Sequence, residues 1–283
     1  MNRIYVLLIF LLISLSARSQ EDICIGKRFS IFSETLNEER EYWLYLPDSY
    51  AKETEKQYPV IYLLDASNFF TSLVGFQQAY SKSRIPVMSE CIIVGVVSGK
   101  DRAKDFTPTK SSYLRDGTKL SPEKAIGGGG EDFSTFLGKE LRDEINRTYR
   151  INGRNILVGH SYSALFTLST LLCHTEMFTT YIAFDPSLWW DDMYVIKQAE
   201  TLFRGKNMTG ISLYLGFGGK MRPDEKDFYL PSVERFRKEV LPIAKENGLL
   251  LIDKSFPNDN HGTIMLSGLA DAFKVLPASI YQQ

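Results

Sequence analysis

The chain alternates apolar runs of strand length with longer segments whose apolar residues recur at helical spacing. Tyr58-Pro59-Val60-Ile61-Tyr62-Leu63-Leu64, Cys91-Ile92-Ile93-Val94-Gly95-Val96-Val97, Ile156-Leu157-Val158 and Tyr181-Ile182-Ala183-Phe184 are apolar throughout. Strands covered on both faces read this way. Residues 211–217 and 249–256 supply two more strands. Helices are expected over 68–81, 131–147, 193–203, 232–246 and 263–276. In 131–147, Phe133, Phe136, Leu137, Leu141 and Ile145 share one face. Before Pro59, residues 27–33 and 40–46 read as a hairpin that ends at Pro47-Asp48-Ser49. Residues 98–130 read as a long polar connection.

Strands that alternate with helices imply an α/β fold. Its sheet should be mainly parallel, with helices on both faces and an antiparallel N-terminal hairpin at one edge. No repeat, low-complexity tract or linker divides the chain, so residues 20–283 are read as one domain. The 283 residues suffice for a single large core. In such sheets ligands bind beyond the carboxyl ends of the strands.

Residues 1–19 stand apart from that pattern. Arg3 precedes the unbroken apolar run 4–13, and Ala17-Arg18-Ser19 gives a small-x-small cleavage signal. This is the pattern of a secretory signal peptide, too short to span a bilayer comfortably. The expectation is an exported protein, periplasmic or extracellular, with no stable membrane span after cleavage. The net charge is −1, and removal of Arg3 and Arg18 with the signal leaves −3. No dominant basic face is available for nucleic acid. Cys24, Cys91 and Cys173 are an odd count without a Cys-x-x-Cys pair. Cys91 and Cys173 are expected as buried free thiols, and no metal cluster is indicated.

The candidate chemistry centres on 154–168. The run Ile156-Leu157-Val158 leads through Gly159-His160-Ser161-Tyr162-Ser163 into Ala164, Leu165, Leu168, Leu171 and Leu172, which have helical spacing. A serine at the apex of a strand–turn–helix has an exposed hydroxyl, with a helix N-terminus behind it. Ser161 is therefore the candidate nucleophile, although Ser163 stands where G-x-S-x-G has its last glycine. Such a serine needs a base. His160 should pack behind the turn, and His174 lies too far along the helix. His261, in a loop after the last strand, remains.

The third member is sought after the strand that precedes the histidine strand. Asp224, Glu225 and Asp227 compete there, Asp224 is favoured, and a Ser–His dyad is the alternative. Oxyanion donors are expected from the backbone N–H groups of Tyr162 and Ser67. Gly127 to Gly130 lacks the context of a phosphate loop and is read as a flexible hinge.

These residues resemble a family of esterases within the α/β-hydrolase fold that includes enterobactin (ferric-enterochelin) esterases and esterase D-like enzymes. The similarity is carried by Tyr58 to Asp65, Asp101-Arg102, Asp105-Phe106-Thr107-Pro108 and Gly128 to Asp132. It continues through Gly159 to Ser163, Pro186-Ser187-Leu188-Trp189-Trp190 and His261-Gly262. The resemblance implies Ser161 as nucleophile, His261 as base, and Trp189 and Trp190 near the acyl or leaving-group pocket. The family usually has Gly where Ala66 and Ser163 stand. The activity expected is serine hydrolysis of carboxylic esters through an acyl-enzyme, with no cofactor. The substrate would be a small siderophore ester or an acyl or feruloyl group on a polysaccharide. The rival expectation is a non-catalytic member of the fold that binds a ligand or partner.

Overall fold

The computed structural model describes residues 23–114 and 117–281, apart from the side chains of residues 200, 224 and 225. The signal-like stretch 1–19 lies outside the described residues. Among them, no helix is long and apolar enough to cross a membrane.

Eight strands form one sheet. They are β1 (Lys27–Ser33), β2 (Glu38–Tyr45), β3 (Tyr58–Leu64), β4 (Ile92–Val96), β7 (Ile151–His160), β8 (Thr180–Phe184), β9 (Ser212–Lys220) and β10 (Leu250–Asn260). The two-residue strands β5 (Lys110–Ser111) and β6 (Ile126–Gly127) pair separately. The main order is β1-β2-β4-β3-β7-β8-β9-β10. Among the described residues, only the β1–β2 and β2–β4 pairs of this sheet are antiparallel. The apolar strands β3, β4 and β8 are buried along their whole length, as a sheet covered on both faces requires.

The helices are α1 (Ala66–Ser81), α2 (Arg102–Phe106), α3 (Gly130–Thr135), α4 (Arg142–Thr148), α5 (Tyr162–Cys173), α6 (Trp190–Phe203), α7 (Pro223–Glu239), α8 (Leu241–Glu246) and α9 (Ile264–Val275). They bury two separate sets of side chains. Phe133, Leu137, Leu165 and Phe236 pack on one face of the sheet. Phe70, Leu73, Leu269 and Phe273 pack on the other. Parallel pairing of β3, β7, β8, β9 and β10 puts their carboxyl ends on one edge.

Several expectations change. The helix expected over 131–147 is interrupted by one wider, π-type turn at Phe136–Leu141. The connection 98–130 is not bare loop: it holds α2 and the β5–β6 pair. Gly127 and Gly128 have φ of 84° and 87°, and the chain there packs against Thr107, Lys110 and Trp190. A Cβ on Gly127 would lie 2.6 Å from Trp190 Cζ2. These glycines allow close approach and left-handed backbone rather than acting as a hinge. All three cysteines are free, with Cys91 buried but Cys173 exposed. Cys173 is the last residue of α5, where the helix leaves the core.

Candidate active site

β7 ends at His160 and α5 begins at Tyr162, so the reversal falls on Ser161, at φ 63° and ψ −117°. That backbone is unfavourable for a residue with a Cβ, by about 1–3 kcal/mol, and the surroundings must hold it. Its N–H donates to Phe184 O at 3.0 Å, and its carbonyl accepts from Leu165 N–H at 3.0 Å and Ser187 N–H at 3.2 Å. The turn also needs Gly159, because a Cβ there would lie 2.5 Å from the Ser163 carbonyl carbon. Gly159→Ala should therefore destabilise the protein by about 3 kcal/mol through overpacking. The check is a lower denaturant midpoint at unchanged slope.

Ser163 is not a passive substitute for glycine. Its hydroxyl accepts from His160 N–H at 2.8 Å and donates to Asp65 Oδ2 at 2.6 Å. Asp65 is itself left-handed, at φ 56°, and stands directly before α1. Its buried carboxylate also accepts from Ser98 Oγ at 2.7 Å and, from Arg102, Nε at 2.6 Å and Nη2 at 2.7 Å. Arg102 Nη2 reaches on to His160 O at 3.0 Å. One carboxylate thus ties the ends of β3, β4 and β7 to α2.

Burial would push the Asp65 carboxyl up, but Arg102, Ser163 and Ser98 outweigh it and hold it below the usual range. A depressed folded-state pKa contributes stability that is fully present above the unfolded value of about 4 and is lost as pH falls through the folded one. Asp65→Asn should therefore flatten the loss of stability below about pH 4 relative to wild type. Unfolding free energy measured against pH checks this.

His261 follows β10. Its Nε2 lies 3.0 Å from Ser161 Oγ and its Nδ1 3.2 Å from Asp185 Oδ2. A hydroxyl donates to Nε2 only if that nitrogen is bare, so the proton sits on Nδ1 and points at the carboxylate. Asp185 directly follows β8 and is 2 % exposed. Its Oδ1 accepts from Gly218 N–H at 2.7 Å and Tyr229 OH at 2.8 Å. Burial alone would raise this carboxyl; the His261, Gly218 and Tyr229 hydrogen bonds overcome that and hold it below its usual range.

Asp185, not Asp224, stands at His261 Nδ1. The acid stands one strand earlier, at the end of β8 rather than after β9. After β9 the chain turns at once into α7, whose range includes residue 224. The side chain of Asp224 lies outside the described residues. The available signal was position: Phe184-Asp185-Pro186 ends the strand beside the nucleophile strand.

His160 is buried beside the turn. Its ring centroid is 4.6 Å from that of His261. Burial, then the neighbouring His261, pushes its pKa down to about 4. The neutral ring donates Nε2–H to His261 O at 2.7 Å, since a carbonyl can only accept. His160, Asp185 and His261 bring possible ligand atoms within 4.8 Å of one another. Each is committed to the hydrogen bonds above.

A cavity of ≈ 190 Å³ opens over Ser161 and His261, walled by Trp189, Met221, Lys220 and Tyr229. Trp189 forms part of that wall. Trp190 is not on the cavity wall: it is 1 % exposed and donates its indole N–H to Thr109 O at 3.0 Å. Consecutive residues at the start of α6 point apart, so only one of the pair can face the cavity. Tyr162 lines the cavity at the start of α5, and Ser67 lies exposed in the first turn of α1.

Known proteins carry the same organisation. A structure of an IroE-like serine hydrolase from Shewanella oneidensis superposes with a TM-score of 0.77 at 30% identity, covering 88% of this chain and 79% of that one. The sheet order and helical layers are those of the α/β-hydrolase fold. Ferri-bacillibactin esterase BesA from Bacillus subtilis is 28% identical over 249 residues, covering 81% of this chain and 82% of that protein. A siderophore enterobactin esterase from Emericella nidulans is 27% identical over 174 residues, 56% of this chain and 57% of its own. The family model described as Putative esterase matches residues 33–222, a span that contains Ser161 and Asp185. The chain belongs to the Putative esterase family.

Proposed function

We propose that this protein is an exported serine esterase that opens siderophore esters through an acyl-enzyme. The observation that carries the reading is the 3.0 Å contact between Ser161 Oγ and His261 Nε2, with Asp185 on the far nitrogen. His261 takes the Ser161 proton as Oγ attacks the ester carbonyl. Backbone N–H groups of Tyr162 and Ser67, at two helix N-termini on the same sheet edge, serve the tetrahedral oxyanion. Collapse expels the alcohol, which receives its proton from His261. Water, deprotonated by the same imidazole, then releases the acid and restores Ser161. Export rests on the charge, apolar run and cleavage pattern of residues 1–19.

The substrate class rests on two supports. The relatives above are named for bacillibactin and enterobactin, and size argues the same way. The ≈ 190 Å³ cavity is smaller than the roughly 300–1,000 Å³ that ligand pockets usually occupy. A wider basin of ≈ 560 Å³ shares Trp189 with it and adds Tyr113, Leu114, Met193 and Phe228. An ester with bulky aromatic arms can fill both.

The test compares kcat/KM for a catecholate trilactone, a feruloyl arabinose ester and p-nitrophenyl acetate. The trilactone should exceed the feruloyl sugar by about 100-fold or more, the size of discrimination that a built pocket provides. The reverse order would overturn the siderophore assignment and leave the serine esterase intact.

A further inference from the structure

We propose that Tyr229 is a positioning residue that works through Asp185, resting on the esterase reading above. Tyr229 lies on α7, outside the strand-end loops that supply Ser161, Asp185 and His261. It is 8 % exposed, lines the catalytic cavity, and donates its hydroxyl to Asp185 Oδ1 at 2.8 Å.

The geometry around the carboxylate explains why that bond matters. Gly218 N–H and Tyr229 OH both donate to Oδ1, and His261 Nδ1 meets Oδ2. Two donors on one oxygen fix the rotation of the carboxylate and reserve the other oxygen for the base. The His261 contact is the longest of the three, at 3.2 Å. It is therefore the one most exposed to a change in carboxylate orientation. Asp185 also sits on left-handed backbone, at φ 44°, so its main chain is already held in a sparsely populated state. Gly218 constrains it from β9, and Tyr229 from α7. Removing the phenol hydroxyl leaves one donor on Oδ1, lets the carboxylate turn, and loosens the imidazole that must accept the Ser161 proton. The ring remains in the cavity wall, so substrate affinity should not follow.

The test is a four-protein cycle: wild type, Tyr229→Phe, Asp185→Ala and the double variant. Rates on p-nitrophenyl acetate are read beside the rate of fluorophosphonate labelling, which remains measurable in slow variants. Melting temperatures check the fold of each. Tyr229→Phe should lower kcat by about tenfold, with KM within about twofold, the size of one hydrogen bond to a charged group. In the Asp185→Ala background the same change should alter either rate by less than about twofold, because no carboxylate is left to hold. A merely structural tyrosine would instead give losses that multiply, and that result overturns the proposal. Wild-type kcat in Tyr229→Phe, or in Asp185→Ala, overturns it equally. A wild type that neither hydrolyses esters nor takes up the label would overturn the esterase reading itself, and this proposal with it.

Discussion

Replacing Ser161 by Ala should lower kcat by about a millionfold, and His261→Ala should cost about as much. In the proposed mechanism the two atoms act as one unit: across the 3.0 Å contact, Oγ is a nucleophile only while Nε2 can take its proton. The double variant should therefore be no slower than either single one, as expected of groups that share one step. A millionfold corresponds to about 8 kcal/mol of transition-state stabilisation. None of that is folding energy. Ser161→Ala keeps the Cβ and every backbone hydrogen bond of the turn, so its unfolding transition should match wild type. Rates and melting curves of the three variants check both halves of the expectation.

The second large effect concerns the acid. Asp185→Asn should lower kcat by about 10⁴-fold, because the amide can donate where the carboxylate only accepted. It would then favour the imidazole tautomer with a bare Nδ1 and a protonated Nε2, which cannot take the serine proton. Folding should tolerate the change, since the amide oxygen can still accept from Gly218 N–H and Tyr229 OH. Asp224→Asn, by contrast, should leave kcat within about twofold, because Asp185 already fills the position at His261 Nδ1. The two variants, compared in one assay, separate Asp185 at the end of β8 from Asp224 after β9.

Much of this site is legible in the chain because it is built from local backbone patterns. The buried run before Gly159 and the helical spacing after Ser163 put Ser161 at a turn, and the structure gives that turn its left-handed apex. His261 follows by elimination among three histidines and by its position after the last strand. Asp185 is harder to see, since an acid after β8 and an acid after β9 can both approach the same imidazole. Only the lengths of the loops and the start of α7 decide between them. Ser163 reads in sequence as a departure, yet its hydroxyl is one of the donors to Asp65. That link spans 98 residues and leaves no trace in spacing. Trp189 and Trp190 are adjacent and chemically identical, and only the fold shows that Trp189 lines the cavity while Trp190 is buried with its indole N–H on Thr109 O. The glycines at 127–130 have the composition of a flexible hinge, but close packing is what requires them.

The most direct test of the central claim is reaction of the protein with a fluorophosphonate, followed by intact mass and peptide mapping. The account predicts one adduct per chain, carried by Ser161, formed by wild type and by Asp224→Asn and abolished in His261→Ala. No adduct, or an adduct on a residue other than Ser161, would contradict it.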